Sequence, residues 1–328
     1  MTLKLAPVGL LLAFAFAPWT MGQDADPTLD AGASSPPPPP NAQASGASDS
    51  DIRWNISTGA GYVFETGIDG GGDFSRTSAF IDGRMDAPIS RDWSISLRLQ
   101  YEFDYYDFKE VTGMGDLGGA APWRNVHTIT AGVFFNWDIK SDVTIFAGPL
   151  FQAAGAAGTD WGDALKWGGA GGVIWAPSPD FRIGIGIGAL TQPEDNARFY
   201  PIIILDWEIA SGLRISSVAA PSLQAEMQGI ELVWQFTPGF ELAGGFSYYW
   251  QRFRLDEDGP ISNGVGQENG FPLYVRLSWE PSTRSEVSFY VGVIVAGELR
   301  AEDSGGMRVG DADYDPAAFV GLAASFSF

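Results

Sequence analysis

The sequence predicts an all-β fold, a transmembrane antiparallel up-and-down β-barrel of about fourteen strands. From Arg53 onward, segments of roughly 8 to 14 residues alternate apolar side chains with small or polar ones, the period-2 pattern of a β-strand. Short connections alternate with longer ones between these segments, and aromatic residues concentrate near the segment ends. No long helical pattern competes with this alternation, so a single barrel accounts for residues 53–328.

The alternation places each strand to within a few residues. The predicted strands lie near residues 53–65, 75–86, 93–106, 124–138, 143–153, 164–176, 181–191, 198–208, 212–219, 229–236, 240–252, 271–279, 286–296 and 316–328. Short turns are predicted around residues 88–91, 140–142, 177–179, 210–211, 237–239 and 281–284, and the connections between them are longer, including a loop at residues 255–270. An even number of strands leaves the N-terminus and the C-terminus of the chain both on the periplasmic side.

The two faces of the predicted strands differ in polarity. In the third strand, alternate residues from Trp93 to Phe103 are apolar, and those from Ser94 to Asp104 are polar or charged. In the last strand, the apolar face is assigned Tyr314 and alternate residues from Ala318 to Phe328. A soluble sandwich would carry solvated Lys and Glu on its outer faces, yet Lys and Arg together number only 19 of 328 residues. In a membrane barrel the apolar face contacts lipid and the polar face lines the lumen.

Aromatic residues are placed where the two edges of a lipid belt would lie, as interfacial girdles require. They are Trp54, Tyr62, Phe64, Trp93, Tyr101, Trp137, Trp167, Trp175, Trp207, Trp234, Trp250 and Trp279. Packing in a core could explain one tryptophan, but repeated placement near strand ends favours a membrane barrel.

The N-terminal region is predicted to lie outside the barrel wall. Residues 1–22 combine Lys4, an apolar run and a small-residue stretch, which predicts a secretory signal peptide. The run is shorter than the roughly 20 residues of a spanning helix, so a membrane anchor is the weaker alternative. Residues 23–52 are rich in Asp, Ala, Ser and Pro and are predicted to form a disordered periplasmic spacer, with a plug inside the barrel as the alternative.

Composition argues against several functions. A formal net charge of −21 argues against nucleic-acid binding, and the absence of cysteine excludes disulfides, thiolate metal sites and cysteine nucleophiles. We predict no cofactor and no metal site, and the glycine-rich residues 168–172 lack a Walker lysine. The longer loops are acidic and form either a solvated rim or divalent-cation sites. Their acids are Asp69, Asp73, Asp107, Glu110, Asp116, Asp256, Glu257, Asp258, Asp303, Asp311, Asp313 and Asp315.

His127 is the only histidine, so any Ser-His or His-metal chemistry would depend on it. Parity with Trp137 places it on the lipid face, as an interfacial side chain or as a residue of a lipid-modifying enzyme. No nucleophile motif accompanies it, and no catalytic residue is assigned. Separately, alternate glycines from Gly184 to Gly188 form an inward stripe without side chains. This stripe either widens a channel or is covered by an inward loop, such as residues 155–163 or 255–270.

Parity places charges of both signs on the lumen face. The arginines are Arg53, Arg84, Arg98, Arg182, Arg214 and Arg276, and the acids are Asp82, Asp86, Glu102, Asp104, Asp206, Glu208, Glu231 and Glu280. One interpretation is a charged constriction that selects small solutes by sign and size. The other is a salt-bridged interior that braces or closes the barrel.

The ending Ser325 to Phe328 resembles the terminal signature of bacterial outer-membrane proteins, an aromatic-alternating strand that finishes in Phe. The resemblance implies recognition of Phe326 and Phe328 by the barrel-assembly machinery, in contact with outer-membrane lipid and lipopolysaccharide. The whole architecture resembles fourteen-stranded channels, long-chain fatty-acid transporters and uncharacterised outer-membrane barrel families. Those transporters have a folded N-terminal plug, where this chain has its proline-rich segment.

Three functional hypotheses follow. The first is a passive channel or small-solute uptake porin with a mixed-charge lumen. The second is a non-conducting barrel with a structural or surface-recognition role, and the third is a lipid-modifying enzyme that depends on His127. All three place the barrel in the bacterial outer membrane with the spacer in the periplasm.

Overall fold

A computed structural model describes residues 52–114, 120–218 and 228–328. Its strands are β1 (Arg53–Gly67), β2 (Asp73–Ser90), β3 (Trp93–Lys109), β4 (Asn125–Lys140), β5 (Val143–Ala156), β6 (Leu165–Ser178), β7 (Phe181–Gln192), β8 (Asp195–Ala210), β9 (Leu213–Val218), β10 (Gln228–Thr237), β11 (Phe240–Arg254), β12 (Val265–Ser282), β13 (Ser285–Glu302), β14 (Arg308–Tyr314) and β15 (Ala317–Ser327). No helix in these ranges is long and apolar enough to span a membrane. The predicted signal peptide, most of the predicted spacer and Asp116 lie outside the described residues.

The strands form one sheet that closes into a barrel. Neighbouring strands from β1 to β13 pair antiparallel in chain order, and β15 returns to pair with β1. We call each strand position around the wall a stave. β14 and β15 pair with successive parts of β13 and therefore share one interrupted stave, so the barrel has fourteen staves. The interruption falls at Asp315 and Pro316, and proline has no backbone N–H to donate to a sheet. The predicted up-and-down barrel is confirmed.

The outer surface of the wall is apolar. Large side chains such as Leu99, Ile185 and Phe199 are more than half exposed, and similar residues follow on the other staves. Soluble monomers rarely expose so large a continuous apolar surface. Aromatic residues border this belt near the short turns, where Trp93 stacks on Trp137 with ring centroids 5.5 Å apart. The wall therefore has the surface that contact with lipid requires.

The strands extend further than predicted at the end opposite the short turns. β12 begins at Val265 rather than near residue 271, and β13 continues to Glu302 rather than residue 296. β14 was not predicted at all. These extensions lack apolar alternation because they rise beyond the lipid belt and, in part, are buried in protein on both faces. The prediction of a loop over residues 265–270 is therefore wrong.

β13 contains a β-bulge opposite β12. Asn269 pairs with Glu298 but Phe271 pairs with Val295, so β13 has one extra residue between these pairs. Ala296 lies within the bulge and has a φ of 49°, in the left-handed region that L-residues adopt only at an energetic cost. The bulge marks the place where the stave leaves the regular wall.

The interrupted stave also reverses its parity. Ala317 at the start of β15 and Tyr314 at the end of β14 are both buried, although an uninterrupted strand would turn them to opposite faces. Asp315 and Pro316 between them break the alternation. Assignment of Tyr314 to the lipid face is therefore wrong, and its side chain points into the barrel.

Candidate functional site in the barrel lumen

The ends of β11 and β12 fold into the barrel instead of continuing its wall. In the described part of the chain, pairing of β11 with β10 ends at Tyr248, whereas β11 itself continues to Arg254. Arg254 forms a bridge with Gly155 of β5, although five strands separate β5 from β11 around the wall. Residues 249–270, which we call the lumen hairpin, therefore cross the interior.

Both faces of the lumen hairpin are buried. Every residue from Tyr249 to Leu255 is buried, whereas alternate residues of a wall strand would face lipid or water. One face contacts the wall formed by β1 to β4, and the other contacts the wall formed by β5 to β8. The hairpin thus fills the lumen at the end opposite the short turns.

Glu268 is at the centre of the contact with the first wall. Its Oε2 pairs with Arg76 of β2 and accepts a hydrogen bond of 2.6 Å from Tyr106 of β3. Its Oε1 accepts hydrogen bonds from Tyr249 of the hairpin and, at 3.2 Å, from Tyr314 of β14. None of these five side chains is more than 5% exposed. We call Glu268 and its four donors the glutamate cage.

Further contacts join the hairpin to β3, to the loop before β4 and to the loop after β5. The ring centroid of Phe253 lies 5.3 Å from that of Trp123, in an edge-to-face arrangement. Gln251 donates a hydrogen bond of 3.1 Å to Asp104 of β3, and the hydroxyl of Thr159 donates one of 2.9 Å to the carbonyl of Leu255. These residues belong to or border the largest buried apolar cluster of the described chain.

The opposite face of the hairpin is held by charged side chains bound to backbone carbonyls. Lys166 of β6 donates to the carbonyl of Arg252 at 2.5 Å, and the Arg252 guanidinium donates to the carbonyl of Pro193 at 3.0 Å. Arg254 forms an ion pair with Glu194 at 2.8 Å. Two arginines and one lysine therefore anchor the hairpin to the β5 to β8 wall.

Trp250 lies on this face of the hairpin and not in an aromatic girdle. It is 8% exposed, and the guanidinium carbon of Arg198 lies 3.8 Å from its ring centroid, the geometry of a cation–π contact. Its assignment to a girdle is therefore wrong. The reason is that β11 has left the wall by this residue, so parity with the lower part of the strand no longer predicts lipid contact.

The structure places the predicted lumen charges on the inner face of the wall and brings several into ion pairs. The pairs are Arg98–Asp82 at 2.6 Å, Arg84–Asp86 at 2.7 Å, Arg276–Glu231 at 2.7 Å and Arg214–Glu241 at 3.0 Å. Arg182 lies directly across from Asp206 in the β7–β8 pair. Arg53, Glu102, Glu208 and Glu280 also face inward. Glu241 and Glu286, which contacts Arg276 at 3.4 Å, were not singled out from the sequence.

The lumen charges differ in their access to solvent. The side chains of Arg276 and Glu231 are each 1% exposed and that of Glu241, next to the β10–β11 turn, is 6% exposed, whereas that of Asp86, close to the β2–β3 turn, is 35% exposed. Burial of these charges therefore varies from pair to pair and does not follow the distance from the short turns. The ion pairs agree with a salt-bridged interior, and selection of solutes by a charged constriction stays a prediction.

His127 lies on the outer face of β4, as parity predicts. Its Nδ1 is 2.9 Å from the hydroxyl of Tyr101, and the rings of Phe103 and Trp161 lie within 6.5 Å of its own. An aromatic setting of this kind is typical of a side chain at the membrane interface.

Two glycines of the β7 stripe, Gly184 and Gly188, are covered by side chains of the neighbouring strands β6 and β8. A Cβ at Gly188 would lie 2.1 Å from the ring of Tyr200 on β8, so only glycine allows that ring to lie against β7. The side chains of Ile174 and Ile204 would lie 3.1 Å and 3.2 Å from a Cβ at Gly184. The stripe therefore makes room for side chains rather than for either predicted inward loop.

Two of the predicted acidic loop residues cap turns of the backbone, whereas Asp73, Asp107, Asp311 and Asp313 lie within strands rather than loops. Asp303 accepts hydrogen bonds from the backbone N–H groups of Gly305 and Met307, and Asp256 accepts one from that of Asp258. No group of three or more His, Asp or Glu side chains within the described ranges is arranged to hold a metal ion.

Sequence reasoning missed most of the glutamate cage. Arg76 shares strand parity with Asp82 and Arg84, so the same alternation could have found it. Glu268 fell within a predicted loop, where parity does not apply, and Tyr314 lies on the stave whose parity reverses. No local pattern in the sequence identifies either residue as a lumen contact.

Several solved outer-membrane structures have a similar fold. An outer-membrane channel from Pseudomonas putida F1 shares 9% identity over 86% of this chain and 97% of its own, with a TM-score of 0.45. The toluene transporter TodX of P. putida shares 8% over 88% and 92%, with a TM-score of 0.42. A Pseudomonas aeruginosa FadL homologue shares 10% over 84% and 90%, with a TM-score of 0.45. No protein-family model and no curated protein matches the sequence.

The closed sheet and its surface decide the class of this protein. A barrel satisfies every backbone hydrogen bond within the membrane, and a continuous apolar belt between aromatic edges is stable only in lipid. The chain is an outer-membrane β-barrel. In this outer-membrane barrel the lumen hairpin occupies the lumen at the end opposite the short turns.

Proposed function

We propose that this outer-membrane barrel is a gated channel for small solutes and that the structure represents its closed state. The observation that carries the proposal is the lumen hairpin, which lies in the lumen with both faces buried. The same residues would leave a continuous path if they rejoined the wall.

The chemistry of the contacts favours a gate over a permanent plug. A buried ion pair such as Arg76–Glu268 contributes little net stability, because the desolvation of both charges offsets their attraction. Apolar residues of the same size would close the lumen more firmly. On withdrawal of the hairpin, Arg76, Glu268, Arg252 and Arg254 would regain hydration, which lowers the free-energy cost of opening.

The connection of the hairpin to the wall also favours movement. It remains attached through the pairing of β12 with β13, while β11 reaches across the interior to bridge β5 at Arg254. Gly270 and the bulge at Ala296 lie where the regular wall ends, and both sites tolerate changes in backbone direction. The mixed charges of the lower lumen then suit small polar solutes.

A cross-link between the hairpin and the wall tests the proposal. Thr159→Cys and Asp256→Cys would be joined by a short bifunctional thiol reagent in a chain that has no other cysteine. In planar bilayers, we expect the unmodified variant to show transitions between closed and conducting states and the cross-linked variant to remain closed. The matched control is a cross-link between Ser282→Cys and Ser285→Cys, whose native hydroxyls lie 2.7 Å apart at a periplasmic turn; it should leave conductance unchanged.

Two results would contradict the gate. Equal conductance before and after cross-linking would mean that the hairpin does not control the path. Absence of any conductance from folded protein, including a Glu268→Gln variant that weakens the glutamate cage, would instead favour the non-conducting structural or recognition barrel.

A further inference from the structure

The glutamate cage has the composition of a carboxylate-binding site. Arg76, Tyr106, Tyr249 and Tyr314 each direct a donor at Glu268, two at each carboxylate oxygen. Hydrogen bonds to an ionised carboxylate, especially from a guanidinium, are stronger than those between neutral groups. Three hydroxyls and one guanidinium therefore satisfy one monoanionic carboxylate in a dry setting.

Most of this site belongs to the fixed wall rather than to the hairpin. Arg76 lies on β2, Tyr106 on β3 and Tyr314 on β14, whereas Glu268 and Tyr249 lie on the hairpin. Arg76 and Tyr106 also contact each other directly, at 3.3 Å. When the hairpin withdraws, three donors remain in place and their carboxylate leaves with the hairpin.

The hairpin inserts an aromatic ring together with the carboxylate. Phe253 pairs with Gly266 across the hairpin, and Glu268 pairs with Gln251, so Phe253 and Glu268 lie on one face two positions apart. Trp123, in the loop before β4, packs against the ring of Phe253. Phe108 of β3 packs in turn against Trp123, with ring centroids 5.5 Å apart. The hairpin thus presents an aromatic ring and a carboxylate side by side.

We propose that the open channel binds small solutes in which a carboxylate is attached to an aromatic or apolar group, and that Glu268 and Phe253 are an internal competitor for that site. The inference rests on the proposed gate and specifies its substrate class. A neutral hydrocarbon could not replace the charge-assisted hydrogen bonds that Arg76, Tyr106 and Tyr314 make with the Glu268 carboxylate. A cation would be repelled by the same guanidinium.

Benzoate binding to a Glu268→Ala variant tests the site without any need for conductance. In detergent at physiological salt, which screens the acidic rim, we expect titration calorimetry to show benzoate binding at least about tenfold tighter to this variant than to wild type. Benzamide and benzylamine, which lack the carboxylate, should not bind. Adding Arg76→Gln should weaken benzoate binding at least about tenfold.

Wild-type protein provides a second test that does not depend on the folding of a cavity variant. In planar bilayers, benzoate should raise the open probability by competing with Glu268, and benzamide at the same concentration should not. An Arg76→Gln variant should still open but lose the response to benzoate.

The outcomes separate the two proposals. Benzoate binding to Glu268→Ala in a barrel that never conducts would leave the carboxylate site standing and overturn the gate. In the opposite case, benzoate and benzamide would affect opening and closing equally, and the binding titration would show no preference for benzoate. That result would overturn the carboxylate site and leave the gate standing.

Discussion

Individual ion pairs in this barrel differ in their access to water, and that difference determines what each contributes to stability. Arg276 and Glu231 are each 1% exposed and lie 2.7 Å apart. Lys109 and Glu65 at the rim form a pair whose members are about half exposed. Removal of one partner leaves a buried charge without compensation in the first case and a hydrated charge in the second.

A pair of glutamate truncations measures this difference. We expect Glu231→Ala to lower the free energy of unfolding by about 3 kcal/mol, the lower end of the range for buried pairs, because Glu286 also contacts Arg276 at 3.4 Å. Glu65→Ala should cost less than about 1 kcal/mol. Urea unfolding of the barrel from lipid vesicles provides the comparison. Equal losses would mean that water reaches Arg276 in the folded barrel.

At the scale of the element, two irregularities decide where β12 to β15 leave a regular wall. The bulge at Ala296 adds a residue to β13, and Asp315 with Pro316 interrupts the next stave. Together they allow Tyr314 to point inward beside Glu268. The glutamate cage therefore depends on backbone irregularities as well as on side chains.

Replacement of Ala296 by glycine tests the strain in the bulge. Glycine adopts a positive φ without the roughly 1–2 kcal/mol that an L-residue incurs, although it adds unfolded-state entropy wherever it is placed. The control is Ala318→Gly, at an exposed position of β15 with extended backbone. This variant adds the unfolded-state entropy of glycine without relieving a positive φ. We expect the free energy of unfolding of Ala296→Gly to exceed that of Ala318→Gly by about 1–2 kcal/mol. If urea midpoints show no difference, Ala296 does not keep its positive φ in the folded barrel.

At the scale of the whole molecule, the barrel has an apolar outer belt and an interior that is buried in protein where the lumen hairpin lies. Lipid surrounds the apolar belt, and some lumen charges near the short turns, such as Asp86, are partly exposed to water. The lumen hairpin excludes water from the other end by contacts with both walls. The outer surface is therefore that of a membrane barrel, whereas the part of the interior around the lumen hairpin is packed like a protein core.

Arginine substitutions on the outer surface test the position of the belt. Val291 lies on the outer face of β13 in the middle of the wall and Ile89 lies next to the short β2–β3 turn, and both are exposed. We expect Val291→Arg to cost about 2–4 kcal/mol in lipid vesicles and Ile89→Arg about 0–1 kcal/mol, because the cost of a charge falls from the midplane to the interface. Similar costs at both sites would contradict the assigned belt.

Parity along the strands predicted much of the wall and the inward direction of residues such as Arg98, Arg214 and Glu231. It did not predict their partners, because alternation states which face a side chain occupies and not what lies opposite. Phe326 and Phe328 as an assembly signal, and the N-terminal spacer, stay predictions that the described residues do not test.

The sequence by itself determined the barrel, because lipid on one side of each strand and protein or water on the other impose a local period-2 pattern. Only the tertiary structure decided that a hairpin crosses the lumen, since its position depends on contacts between residues far apart in the chain. Arg76 and Glu268 are separated by 192 positions, and β5 meets β11 across the interior rather than along the wall. No local pattern records such pairs, because their energy depends on where the barrel brings them together.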